Sequence, residues 1–450
     1  MLAPDSKSSS LKDVLKTSLP AVVDLSSQTI AWLIEAIFIG NISAAALAGV
    51  GLSLQMIILT FTVVLTFVVG ASIIIVRYLG AGDRWNANHV LAQALILGTI
   101  LAFLISALWY FGGTQVFRLI SEESPRARLY GIQYMQTISY FGPLLIVNFI
   151  ALGILRMAGD TLITMRINLM ANTIHLFLSY GLVFGKFGLP RMESVGAALA
   201  VGIAHSIAFF VTIYVLRSRR CSLFLSISEF IHPNFETFKR LYRLGLPTTI
   251  EQLVWAFGQL VLSFYAGYLG VVVLATHQIF VRIQSVLTMA FQGFGLASMS
   301  LVGKSIGANE HQEAQKAGFV TGGVALVAAI VAGVLLKVFQ DSWMGIFTND
   351  ADVVRYGTSL VWVLVLIQIP KAMNIVFTGN LRGGADLKWL MWLAISSVLI
   401  FEITGAYILT FVFQMALTGI WAIQGVDETM RLASNIWRFR QTKWAGKSIL

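Results

Sequence analysis

The sequence holds one cysteine, Cys221, in 450 residues, which excludes an internal disulfide framework and any cysteine-built metal site. Charge is scarce too: Asp, Glu, Lys and Arg make up 12% of the chain, about half the share usual in soluble globular proteins. With 57% of positions hydrophobic, water cannot be the solvent for most of the folded surface. The chain contains no GxxxxGK[ST] phosphate loop, no helix with paired metal ligands and no hydrolase nucleophile motif, so ATP-driven pumping and hydrolytic chemistry are disfavoured. Its opening residues are too polar for a secretory signal, and no small-residue cleavage site follows the first apolar run. That run is expected to stay in the product as a span.

What the chain does have is long apolar stretches, at roughly 17–40, 45–76, 88–112, 130–154, 162–185, 194–216, 244–267, 271–300, 317–339, 354–380, 388–412 and 416–435. A hydrocarbon core of about 30 Å needs roughly 20 residues per helix, so each stretch is long enough to cross. The expected fold is therefore an all-α integral membrane protein of twelve transmembrane helices. Basic residues orient it. With a cytoplasmic N-terminus, the inner side collects Lys7, Lys12, Lys16, Arg217, Arg219, Arg220, Lys239, Arg240, Arg243, Arg438, Arg440, Lys443 and Lys447, among others. The outer side holds only Arg118, Arg126, Arg128, Lys186, Arg191, Lys337 and Arg355. Both termini are thus expected in the cytoplasm, with the protein in the plasma (cell inner) membrane. This placement accounts for the net charge of +10 without nucleic acid as a partner.

The chain also repeats itself. A shift of 227 positions lays Leu19-Pro20 on Leu246-Pro247, Asp24 on Glu251, Gly40 on Gly267, Gly80-Ala81 on Gly307-Ala308 and Pro143 on Pro370. After a one-residue slip, Asn148 falls on Asn374, Arg156 on Arg382 and Asp160 on Asp386. Each unit has an even number of helices, so the two are parallel repeats. The expected organisation is an N-terminal six-helix lobe (1–220), a cytoplasmic linker (221–243) and a C-terminal six-helix lobe (244–450) with a short basic tail. A central cleft between the lobes follows.

Ionisable and polar residues inside spans are costly, which makes their spacing informative. Asp24, Gln28 and Glu35 lie four and seven residues apart in the first span, on one helical face. The fifth span carries Asn168, Asn172, His175 and Ser179 on a single face as well. Glu35 has Leu262 as its repeat counterpart, so an acid at that place belongs to the first half alone. Glu35, with Gln28, Asn172, His175 and Ser179 as its surroundings, is the expected ion- or proton-coupling site; structural hydrogen bonding is the competing reading. Candidates for the substrate cleft are Asp24, Glu251, Gln252, Gln259, Gln278, Arg282, Lys371 and Asn374. Glu402 is a further intramembrane acid, with Lys371 as a guessed partner. Arg156 with Asp160, and Arg382 with Asp386, are read as caps of helix ends.

Several stretches resemble the multidrug and toxic compound extrusion transporters. They are LPAVVDLSSQTIAWLIEAIFIGNISAAALAGVGL, LRMAGDTLITMRINLMANTIHLFLSYGLVFG with its echo LRGGAD, GLPTTIEQLVWAFGQLVLSFYAGYLG, LATHQI and RFRQTKW. The resemblance runs from about residue 14 to 444. It implies two six-helix lobes that export lipophilic, often cationic, compounds in exchange for protons or sodium, with no cofactor and no enzymatic activity. By the same resemblance Glu35 stands where the family has a first-helix Asp, His175 where an Asn is common, and Ser179 where an Asp or Asn occurs. Val201 replaces a frequent Thr, and Glu402 and Thr404 replace an Arg and a Pro. The expected function is a monomeric, cation-coupled efflux transporter with small-molecule substrates and membrane lipids as partners. A lipid or lipid-linked saccharide flippase is the alternative, suggested by Lys371 and Arg282; a membrane enzyme or receptor scaffold is a distant third.

Overall fold

A computed structural model describes residues 11–120, 124–226, 233–348, 350–442 and 444. Lys7, Lys443 and Lys447 of the basic count lie outside the described residues. Helices occupy nearly all of it: α1 (Leu11–Gly40), α2 (Ala44–Gly80), α3 (Arg84–Ala107), α4 (Gly113–Ile120), α5 (Pro125–Met157), α6 (Thr161–Phe184), α7 (Glu193–Arg217), α8 (Phe235–Tyr268), α9 (Val271–Gly307), α10 (His311–Val338), α11 (Gln340–Phe347), α12 (Ala351–Gly383), α13 (Leu387–Ser397) and α14 (Ala416–Arg440). A π-helical turn joins α3 to α4, and two more, Val398–Gly405 and Ile408–Val412, continue α13.

Ten of these runs are both long and apolar enough to cross a bilayer. The expected twelve are completed by α8 and α14, of 34 and 25 residues, which span by length while carrying more charge. Local chemistry sets the boundaries. Ser43 opens α2 by accepting the Ala46 amide at 3.0 Å, Asp83 opens α3 by accepting that of Asn86 at 3.0 Å, and Asp350 opens α12 by accepting that of Asp352 at 2.9 Å. Gly185 ends α6 in the left-handed region at φ 68°. Pro20, Pro143, Pro247 and Pro370 lie inside α1, α5, α8 and α12, and they form two repeat pairs.

The chain folds into two units, one of residues 23–246 and one of 247 onward joined by the start of α1 up to Val22. In the N-terminal unit α5 is central, packing on α2, α3 and α7, while α6 packs on α7. In the C-terminal unit its repeat mate α12 is central, against α9, α10 and α14. The apolar core there gathers Leu262, Phe280, Leu364, Ile420 and Trp421, with a second cluster around Phe377, Phe439 and Trp444. Large apolar side chains such as Phe103, Leu104, Phe210, Val327 and Val331 remain exposed, as a hydrocarbon solvent permits.

Each unit accepts the first part of a helix by close backbone approach. In the N-terminal unit, Leu241 and Gly245 of α8 lie on Gly70 and Thr66 of α2. In the C-terminal unit, Val22 of α1 lies on Gly293 of α9, and Gly293 is the repeat counterpart of Thr66. A methyl group at Gly245 would overlap the Thr66 carbonyl, backbone against backbone, whereas one at Gly51 meets nothing within 4 Å. Gly245→Ala is therefore expected to destabilise by about 1–3 kcal/mol, and Gly51→Ala by nothing measurable. Thermal unfolding in detergent checks the contrast.

Candidate functional site

The N-terminal unit concentrates polar side chains along α1, α5, α6 and α7. Glu35 and His175 are buried, at 2% exposure each, and the His175 Nε2 stands 3.6 Å from Glu35 Oε2. That separation suits a charge contact and is too long for a hydrogen bond. Tyr134 of α5, also buried, lies within electrostatic reach of Glu35, and His205 of α7 within that of His175. Glu35 Oε1, His175 Nε2 and Ser179 Oγ are buried without a hydrogen-bond partner. Orphaned polar atoms in such a setting are costly, and Ser179 lies one helical turn beyond His175 on the same face of α6.

The expected members of this site divide. Glu35 and His175 come together, and Ser179 shares the His175 face of α6. Asn172 is instead bonded to Ser27 at 3.2 Å. Gln28 lies two helical turns from Glu35, about 10 Å along the axis, and makes no hydrogen bond among the described residues. Tyr134 and His205 were not legible as members, because neither stands at helical spacing from an acid or another histidine on its own span. Their signal is only tertiary.

Asp24 is fully buried rather than lining an open space. Its Oδ2 accepts from Arg156 Nε at 2.8 Å and its Oδ1 from Asn168 at 2.7 Å. Its repeat mate Glu251 pairs with Arg382 at 3.0 Å. The reading of Arg156 and Arg382 as helix-end caps is thereby corrected: each guanidinium crosses to the first helix of its own repeat. Asp160 accepts the Ser222 backbone amide at 2.9 Å, and Asp386 accepts from Arg438 at 2.7 Å, so both acids tie down following segments instead of their own helix ends.

The C-terminal unit contains a cavity of about 120 Å³ lined by Glu251, Trp255, Lys371, Arg382, Glu428 and Arg431, among others. Gln252 and Asn374 also line it; Gln259, Gln278 and Arg282 do not, and the last two are exposed. Lys371 pairs with Glu428 at 2.9 Å, not with Glu402 as guessed, and Nζ lies 5.8 Å from the Trp255 ring centroid. Asn374 donates to Glu428 at 2.7 Å, while Arg431 reaches Asp427 at 3.2 Å and Glu428 at 3.3 Å. Asp427 and Glu428 lie mid-helix in α14 and are not singled out by the sequence reading, in which Arg431 counts only among the inner basic residues. The adjacent Asp-Glu pair inside a span was the available signal.

The MatE family model matches residues 20–181 and again 247–408, so it finds the chain twice, at the 227-residue offset of the internal repeat. The "Probable multidrug resistance protein NorM" of Thermotoga maritima is 25% identical over 445 residues, covering 98% of this chain and 94% of that protein. The protein of the same name from Mannheimia succiniciproducens is 28% identical over 425 residues, covering 91% and 89%. Among solved structures, a MOP superfamily transporter from Pyrococcus furiosus superposes with a TM-score of 0.88 at 20% identity, over 99% of this chain and 100% of the other. An outward-facing multidrug resistance MATE family transporter gives the same score, identity and coverage. With the family model covering most of both repeats, the chain belongs to the MatE family of integral membrane transporters, and it is not an enzyme.

Proposed function

We propose that this protein exports lipophilic, cationic small molecules by antiport, with Glu35 as the carboxylate that loads and releases the coupling ion. The observation that carries this reading is the buried Glu35–His175 contact at 3.6 Å, flanked by polar atoms that lack partners. A carboxylate and an imidazole placed so can share one proton between them and give it up when water reaches the site. Proton coupling is favoured over sodium because sodium asks for a fuller set of oxygen ligands, and a ring nitrogen occupies one side of this site. The multidrug resistance names of the relatives support the substrate class. The chain acts as a monomer in the plasma membrane with both termini in the cytoplasm, as the basic residues argue. The flippase alternative rests on Lys371 and Arg282; the Lys371 ammonium that would hold an anionic head group is neutralised by Glu428, and Arg282 is exposed and outside the cavity lining.

Proteoliposomes loaded with a cationic dye and given proton and sodium gradients separately test this. Efflux is expected under the proton gradient and not under sodium alone. Sodium-driven efflux would overturn the choice of ion, and no efflux under either would overturn export.

A further inference from the structure

The C-terminal unit contains one more buried acid than its bases can neutralise. The cavity is lined by Glu251, Glu428, Lys371, Arg382 and Arg431, and Glu402 and Asp427 stand within electrostatic reach of this group, which makes four carboxylates to three cations. Every cation is committed: Arg382 to Glu251, Lys371 to Glu428, and Arg431 to Asp427 and Glu428. Asp427 also accepts from Ser397. Glu402 is the acid left over. It is 2% exposed, no basic group is paired with it among the described residues, and its Oε2 is buried without a hydrogen-bond partner.

The groups that face Glu402 are known from each neighbouring helix. From α14 come Asp427, Glu428 and Arg431, and from α12 comes Lys371. From α8 comes the backbone at Gly258, against which the Oε2 is packed closely enough that a side chain there would collide with it, beside Val398 of its own segment. Glu251 acts on the cluster through Arg431. An ionised carboxylate so enclosed, with no partner of its own, would carry a desolvation cost of several kcal/mol; such a group takes a proton or a cation instead. The walls decide which. Among the described residues no group of three acids or histidines is gathered so as to hold a metal ion, whereas a proton needs only one lone pair.

The repeat gives an independent reason to look here. At Asp160 and Asp386 the offset between halves is 226, and the π-helical segment Val398–Gly405 carries the extra residue that such a turn inserts. Glu402 lies inside that segment, and at the 227-residue offset that relates the two family-model matches as wholes it falls on His175. In the first half the acid sits on α1, at Glu35, facing a histidine. In the second half that α1 position is Leu262, fully buried among apolar side chains, and the acid has moved across to the His175 position.

We infer that Glu402 is a second proton-binding carboxylate, belonging to the C-terminal unit and independent of Glu35. It binds a proton in the resting protein, and release of that proton adds a fourth negative charge beside Arg431, which is already shared between Asp427 and Glu428. Infrared spectroscopy of the purified full-length protein in lipid films at pH 7 reads this directly, without transport. A carboxylic-acid carbonyl stretch is expected in the wild type; its Glu402 component should vanish in Glu402→Gln and persist in Glu35→Gln and after addition of sodium chloride. Glu402→Gln should also leave thermal stability at pH 7 unchanged, since an amide replaces a neutral acid of the same shape. A band unaffected by Glu402→Gln overturns the assignment. So does a band lost in Asp427→Asn alone, or one displaced by sodium. If Glu402→Gln fails to fold, Glu402→Asp provides the second reading: the carbonyl band should shift in frequency without disappearing, and an unshifted band overturns the assignment equally.

Discussion

Replacing Glu35 by Gln is expected to collapse the steady-state dye ratio across a proteoliposome from about fifty-fold to about one. One elementary charge moved through 100 mV supplies about 2.3 kcal/mol, and that energy sustains roughly a fifty-fold concentration ratio. The transporter can draw on it only if a group changes charge as the site opens to each side in turn. Gln has the shape of Glu and can occupy the place beside His175 and Tyr134, but it cannot release a proton. The variant should therefore fold, bind the dye within about two-fold of wild type, and equilibrate it without accumulation, because binding and coupling draw on separate interactions. His175→Asn is the informative companion. It removes the imidazole 3.6 Å from the carboxylate while keeping Glu35, so it should displace the pH dependence of efflux and retain accumulation. Wild-type accumulation in Glu35→Gln would remove Glu35 from the coupling role and leave it a structural acid.

How much of this was legible in the sequence depends on the range of the signal. The twelve spans and the 227-residue repeat follow from patterns that run along the chain, and a pattern of that length survives local exceptions. Glu35 and the His175 face were legible because period-3.6 spacing places residues on one side of a helix, although spacing alone could not say that Asn172 would turn to Ser27. Pairings between distant helices were not legible: Lys371 could as well have met Glu402 as Glu428, and only packing of α12 against α14 decides. One long-range pairing was nevertheless written in the repeat. Asp24 maps onto Glu251 and Arg156 onto Arg382, and an acid and a base that recur together in both halves are candidates for the same ion pair in each. Tyr134 and His205 had no such echo.

Those two ion pairs make the second large effect. Asp24→Ala is expected to destabilise the protein by about 3–5 kcal/mol, the range for removing one partner of a fully buried pair. Glu251→Ala should cost less, roughly 1–3 kcal/mol, because its pair is only partly withdrawn from solvent. The difference comes from geometry. Asp24 is 1% exposed, with both carboxylate oxygens bonded, and Arg156 is 12% exposed; Glu251 and Arg382 are 14% and 19% exposed, and Glu251 Oε2 has no partner. Removing Asp24 leaves the Arg156 charge with nothing to answer it, and Asn168 loses its acceptor as well. Asp24→Asn should therefore rescue little, since it restores an acceptor for Asn168 but not the charge. Arg156→Met combined with Asp24→Leu should recover most of the loss, because a buried pair replaced by apolar groups of similar volume no longer carries the desolvation cost. Thermal unfolding in detergent of Asp24→Leu, Arg156→Met and their combination, arranged as a double-mutant cycle, gives the coupling energy of that pair, and the single alanine variants compare it with the other. Equal losses at Asp24 and Glu251, or a double variant no better than Asp24→Ala, would show that burial does not set the strength of these two contacts.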